Sequence, residues 1–290
     1  MAEIEKRKIG ELITLYNLEP ELRDVFVEGE DDVAMLRWYL NGKSLKNASV
    51  CEVNVVEIPN ELVEQYGLGI GNRGRLLTLA NELSKGLTQS SSNCATFIYD
   101  KDNDTSDSKL GNAFATDYSC LEMYLFNDTT FDKFFALVTL TANVDVRLVL
   151  NELSSVLVRV NQIKATNHAM GLKAKWISFV GLCDFDGFAI RFDEEEFINR
   201  YLMNSGLLEK KPEFEQQLAL LDRGLTQDSR HHINGHHFHA LARTYFREFS
   251  KDKSCLKEER VFERSLVGCV ESSYLDEQPM FKTIISRVTE

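Results

Sequence analysis

Three short apolar runs, separated by stretches of helical periodicity, constrain this chain more than any other feature. Val25-Phe26-Val27 closes on Glu28-Gly29, residues 51–58 (CEVNVVEI) form a second run, and ATFIY at 95–99 closes on Asp100-Lys101-Asp102. Short runs rich in β-branched and aromatic residues suit buried strands. Residues 31–40 and 75–83 between them carry apolar side chains at the spacing of one helix face. Strands alternating with helices build parallel βαβ units, so an α/β domain with a doubly wound parallel sheet is expected here. Residues 3–17 predict a further amphipathic helix ahead of the first strand, with Ile9, Leu12, Ile13 and Tyr16 on one face.

The pattern changes near residue 129. TTFDKFFALVTL, VRLVLNELSSVLVRVNQI, DEEEFINRYLMNSGLL, FEQQLALL and HHFHALARTYFREF all read as helices, with one strand-like interruption at 176–182. The expected division is an α/β domain over 1–128 and a mainly helical subdomain over 129–290. Only four prolines and no Gly/Ser-rich linker mark the boundary. No apolar run reaches the ~20 residues of a membrane span, and the charged start MAEIEKRKIGELI does not resemble a secretory signal. Six scattered cysteines without a CxxC pair predict reduced thiols in a cytoplasmic protein. A net charge of −12 excludes a protein that coats nucleic acid nonspecifically. It leaves room for an enzyme with a local basic path around an acidic, metal-filled centre.

Ligands of open parallel sheets bind beyond the carboxyl ends of the strands. Two apolar runs end there in acids: VFVEG at Glu28, and TFIYDKD at Asp100 and Asp102. In extended backbone Asp100 and Asp102 would share a face, with Lys101 turned away. If the two strands are neighbours, three carboxylates converge, a donor set that Mg²⁺ or Mn²⁺ accepts.

A strand ending in Glu-Gly, an acidic helix start and a later strand ending in Asp-x-Asp resemble the TOPRIM fold of topoisomerases, bacterial primases and OLD-family nucleases. VEGEDD and YDKD are the matching segments. Asp31 and Asp32 also favour the start of the following helix through its dipole. Asp32, one helical turn from Glu28, could join the metal shell, while Glu30 is expected to be solvated. GIGNRGRLLTLA, TDYSCLEMYLF and the later INGH extend the similarity to an OLD-related TOPRIM group, the effector nucleases of PARIS anti-phage defence. That resemblance covers residues 1–126 and then only 233–236. It implies that Glu122 is a second metal ligand or an acid beside the phosphate; by its neighbours alone it is a surface Glu between core residues Leu121 and Met123.

Three other patterns compete. GIGNRG at 69–74 fits a dinucleotide fingerprint, but residues 59–68 separate it from the preceding run, where the fingerprint needs a strand directly before it. A turn feeding a helix, whose N–H groups could hold a phosphate near Arg73 and Arg75, is expected instead. DKDNDTSDSKLG opens like an EF-hand loop, yet Thr105 and Gly111 stand where Gly and Glu are required. HHINGHHFH gathers five of the six histidines, but a zinc site there is set aside, since no cysteine lies nearby and Asn234-Gly235 breaks the helical spacing. Asn234 is expected to cap a helix starting near His236, leaving His236 structural or near a phosphate and the other histidines partly exposed. DFDG at 184–187 reads as a turn.

Carboxylate-held metal, with no nucleophilic Ser or Cys constellation and no P-loop, suits phosphodiester hydrolysis. Glu28 would serve as ligand or general base, and Lys101 would steady charge on the phosphate. The resemblance implies tRNA cleavage that stops translation, under restraint by an ABC-type ATPase, AriA, until a phage trigger releases the effector. The wider OLD group would equally permit DNA nicking, and a catalytically silent partner-binding scaffold is the reading of another class. One acidic subunit is a poor electrostatic trap for RNA. An active homodimer is therefore expected, using apolar helix faces such as VRLVLNELSSVLVRV unless that stripe is intramolecular core.

Overall fold

The acid-bounded runs fold into neighbouring parallel strands. The computed structural model describes residues 6–45, 48–102, 112–221 and 225–289. The chain divides into two units, Met1–Leu121 with Ser272–Glu290, and Glu122–Glu271.

The first unit runs β1 (Arg7–Lys8), α1 (Ile9–Leu18), β2 (Arg23–Val27), α2 (Glu30–Gly42), β3 (Ala48–Glu52), β4 (Val56–Glu57), α3 (Asn60–Gln65), α4 (Asn72–Gly86), β5 (Ala95–Tyr99) and β6 (Ala113–Ala115). Its main sheet has the order β3-β2-β5-β6 with every pair parallel. On one face Phe26 and Phe97 stack at 5.3 Å in a core with Leu12 and Tyr16 of α1 and Leu76, Leu79 and Leu83 of α4. The Tyr16 hydroxyl donates to Asp24 Oδ2 at 2.7 Å, and burial pushes that carboxyl above its usual range.

Two expectations change here for identifiable reasons. The first helix starts at Ile9, because Lys8 is extended and its N–H is taken by Glu11 Oε2 at 2.9 Å; residues 3–5 of the expected helix lie outside the described residues. The run 51–58 is two strands, since β3 pairs with β2 and β4 with β1, and a 3₁₀ turn at Val53–Val55 makes the change of partner.

In the second unit α5 (Asp128–Lys133) continues into a π turn at Phe134–Val138. There follow α6 (Val146–Ala169), the hairpin β7 (Cys183–Asp186) and β8 (Ala189–Phe192), α7 (Glu194–Met203), α8 (Lys211–Leu221), α9 (Gly235–Phe249) and α10 (Glu259–Cys269). Asn127, Asp145, Asp193 and Asn234 each cap a helix through the side chain, the last as expected. Residues 176–182 are not a strand: they end in a 3₁₀ turn at Val180–Leu182. Asp184 and Asp186 lie within β7, and of DFDG only Gly187, with φ 61°, enters the two-residue turn, which Phe188 completes. Val149, Leu153, Val156, Leu157, Val160 and Ile163 of α6 are buried within this unit, so the stripe considered for a dimer is intramolecular core.

The last two helices, α11 (Ser272–Glu277) and α12 (Pro279–Thr289), return to the first unit, which the division at 128/129 did not include. Asp276 accepts from Tyr39 at 2.7 Å and Lys43 at 2.6 Å. Asp117 accepts the Met280 N–H at 3.0 Å. Polar contacts between residues so far apart in sequence leave no periodicity to read. Five of the six cysteines are buried free thiols and Cys51 is half-buried. Among the described residues no helix is long and apolar enough to cross a membrane.

Candidate active site at the sheet edge

The strand order reverses at β2, with β3 on one side and β5 on the other. A crevice at such a reversal is the usual ligand site of an open parallel sheet. Phe26 lies opposite Phe97, so β2 and β5 end almost level, and Glu28 and Asp100 are the first residues beyond them. Glu28 Oε1 accepts the Asp100 N–H at 3.0 Å. Asp100 Oδ1 accepts the Leu121 N–H at 3.1 Å.

The shared face expected for Asp100 and Asp102 is not formed. Alternation holds only in extended backbone, and Asp102 is left-handed with φ 49°. Its N–H donates to Ser119 O at 2.7 Å, and its carboxylate lies 3.9 Å from Arg73 Nη1. Asp32 Oδ2 accepts the Gly29 N–H at 3.0 Å, closing the first turn of α2. Among the described residues, Glu28, Asp32, Asp100 and Asp102 do not form a group of three ligand atoms within 4.8 Å of one another.

Two polar residues that sequence reasoning passed over organise this edge. Asn72, the first residue of α4, donates through Nδ2 to the carbonyl of Glu28 at 2.7 Å. Thr116 Oγ1 accepts the Lys101 N–H at 3.0 Å and donates to Tyr118 O at 2.7 Å, holding the DKD loop against TDYSCL. Arg73 sits over the Tyr99 ring, 5.1 Å from its centroid, within reach of the acids. Arg75 turns away to Asn60 Oδ1 at 3.1 Å.

GIGNRG therefore joins α3 to this edge. A Cβ on Gly74 would stand 2.0 Å from the Gly69 carbonyl oxygen and 3.2 Å from Val63 Cγ1, so the motif serves close backbone approach. Gly74→Ala is expected to destabilise the first unit by about 1–3 kcal/mol, the usual cost of overpacking, and to lower activity by moving Asn72 and Arg73. Urea unfolding of the purified variant measures the first effect; an unchanged midpoint would contradict the packing.

Glu122 and INGH, matched separately in the sequence, meet inside the second unit. A Cβ on Gly235 would lie 2.5 Å from the Glu122 carboxyl carbon, which puts that carboxylate at the N-terminus of α9, where the helix dipole favours negative charge. Glu122 Oε2 is buried with no hydrogen-bond partner. Glu122 is thus a half-buried helix-end acid, not a surface residue. His236 is exposed on that first turn.

The remaining histidines point to different neighbours. His232 bonds Thr226, His237 stacks on Trp176 at 4.8 Å, and His239 faces Glu263. His237 and His239 are buried, which corrects the expectation of partial exposure: both fall on the apolar face of α9. Residues 103–111 of the EF-hand-like loop lie outside the described residues. No protein-family model matches the chain, and no match is found among curated proteins.

Proposed function

We propose that this chain is a Mg²⁺- or Mn²⁺-dependent nuclease of the TOPRIM type, an AriB-like effector that cleaves tRNA in the cytoplasm and halts translation during phage infection. The observation that carries the reading is the pair Glu28 and Asp100, set level at the ends of adjacent parallel strands and joined through the Asp100 N–H. Their donors are hard carboxylate oxygens, which fit either ion.

When bound, the ion supplies a water of lowered pKa and charge stabilisation at the phosphate. Glu28 and Asp100 would hold it, and Glu28 can take the proton of the attacking water. Arg73, steadied by the Tyr99 ring and drawn toward Asp102, would orient a phosphate oxygen. Lys101, whose backbone is latched to Thr116, would add positive charge beside the scissile bond. Asp32 braces α2, while Glu122 and His236, at the start of α9, enter the reading through the resemblance alone.

The resemblance extends the proposal to restraint by an ABC-type ATPase, AriA, a phage trigger acting through that ATPase, and an active homodimer. The α6 stripe no longer supplies the dimer interface, so the dimer rests on the poor electrostatic trap that one acidic subunit makes for RNA: in a pair, basic residues of one helical half would face the acidic centre of the other. Light scattering on the active, released protein reads the state directly; a monomer that cleaves would remove this part.

Metal binding is tested without activity. A ligand held only by the native state stabilises it by RT ln(1 + [L]/Kd), about 2.7 kcal/mol at a hundred times Kd. Mg²⁺ or Mn²⁺ should therefore raise the melting temperature, and EDTA should abolish the gain. No Mg²⁺ shift in the wild type, or the same Mg²⁺ shift in Glu28→Gln, would contradict the site.

A further inference from the structure

We propose that His239, Glu259 and Glu263 form a binding site for a first-row divalent cation of the Zn²⁺ kind between α9 and α10, within the second unit.

The sequence places Glu259 and Glu263 four residues apart at the start of α10, on one helix face. His239 and Arg243 have the same spacing on α9. The donor atoms of His239, Glu259 and Glu263 all lie within 4.8 Å of one another. His239 Nδ1 stands 2.7 Å from Glu263 Oε1, with side-chain exposures of 3% and 14%. Close as they are, neither ring nitrogen of His239 has a hydrogen-bond partner of acceptable geometry. A hydrogen bond needs the N–H aimed at its acceptor; here an imidazole and a carboxylate crowd one point without that alignment, and widening their approach to the ~3.3 Å between two tetrahedral zinc ligands would admit a cation.

Two carboxylates come together here with the imidazole, and Arg243 donates to Glu259 Oε2 at 2.8 Å. Phe262 and Phe238 wall the imidazole at 5.9 and 5.1 Å, and an apolar wall strengthens the attraction for a cation. The donor set separates this site from the sheet edge. One nitrogen and two carboxylates suit Zn²⁺ with a water completing four-coordination, whereas Mg²⁺ takes oxygen alone. Glu259, nearly half exposed, is the side open to solvent. The cation would tie α9 to α10, and the inference does not rest on nuclease activity.

The test uses the full chain stripped with chelator, titrated with Zn²⁺ by calorimetry, and followed by visible absorption after Co²⁺ loading. Variants Glu259→Gln and Glu263→Gln preserve side-chain volume, and circular dichroism checks that each folds. The Glu28→Gln/Asp100→Asn double variant controls for binding at the sheet edge. Zn²⁺ affinity is expected to fall roughly tenfold or more in Glu263→Gln, with loss of the Co²⁺ bands, and to be unchanged in the double variant. Affinity unchanged in both glutamate variants would leave only a His–Glu ion pair and overturn the site. Binding abolished in the double variant would overturn it equally.

Discussion

Replacing Glu28 by Gln or Asp100 by Asn is expected to abolish nucleic-acid cleavage, with a loss of about three orders of magnitude in rate and no loss of fold. The size follows from removing a metal-holding carboxylate, where electrostatic stabilisation is worth several kcal/mol at about 1.4 kcal/mol per tenfold. The amide variants are chosen because Glu28 Oε1 accepts the Asp100 N–H and Asp100 Oδ1 accepts the Leu121 N–H. An amide oxygen keeps both bonds, so neither N–H is left unpaired. Taking one charge from a crowded acidic edge relieves like-charge repulsion, and the melting temperature should hold or rise. Single-turnover cleavage and thermal unfolding on the same preparations separate the two effects. Near-normal cleavage by either variant would move the chemistry elsewhere; collapse of the fold would make these residues structural.

Acid should destabilise the second unit through His237. Burial against Trp176, with lesser contributions from Lys164 and His236, pushes its imidazole from 6.5 down to about 4. Below pH 6.5 the unfolded chain takes up a proton that the folded state refuses, so stability is whole above 6.5 and drains as pH falls toward 4. At about 1.4 kcal/mol per pH unit, the loss is roughly 3 kcal/mol. In His237→Phe the ring still stacks on Trp176 but nothing titrates, so this component vanishes. Urea unfolding read by Trp176 fluorescence, in a Trp38→Phe background, compares the two proteins at pH 7 and 4.5. Parallel losses in both would show that His237 does not carry the effect.

How much of this was legible in the sequence depended on the range of the interactions. The strands at 25–27 and 95–99, and the helices after residue 129, follow from apolar periodicity, which is local. The break within 51–58 was hidden because both halves are apolar, and only the partner strand distinguishes them: β2 for one, β1 for the other. The return of 272–290 to the first unit hangs on Asp117, Tyr39 and Lys43, polar contacts across the chain. At the candidate site, the sequence put Glu28 and Asp100 directly after two apolar runs, and the structure makes those runs adjacent parallel strands. Asp102 was misplaced because strand alternation was carried one residue past the strand, into a left-handed turn. Asn72 and Thr116 were missed because an Asn at a helix start and a Thr after a strand are ordinary in sequence. Their value lies in what they touch. Glu122 and Gly235 carried a faint signal: a glycine directly after an Asn cap invites close approach by another group.

In the proposed function, the acids beyond β2 and β5 hold the metal ion of a nuclease. The most direct measurement incubates the purified wild-type chain with tRNA and, in parallel, plasmid DNA, in Mg²⁺ or EDTA, with and without the partner ATPase. Cleavage of tRNA that requires Mg²⁺, is lost in Glu28→Gln and is held back by the ATPase is the predicted result. Nicking of plasmid alone would keep the metal centre and replace the substrate. Intact tRNA and plasmid under every condition would contradict the account.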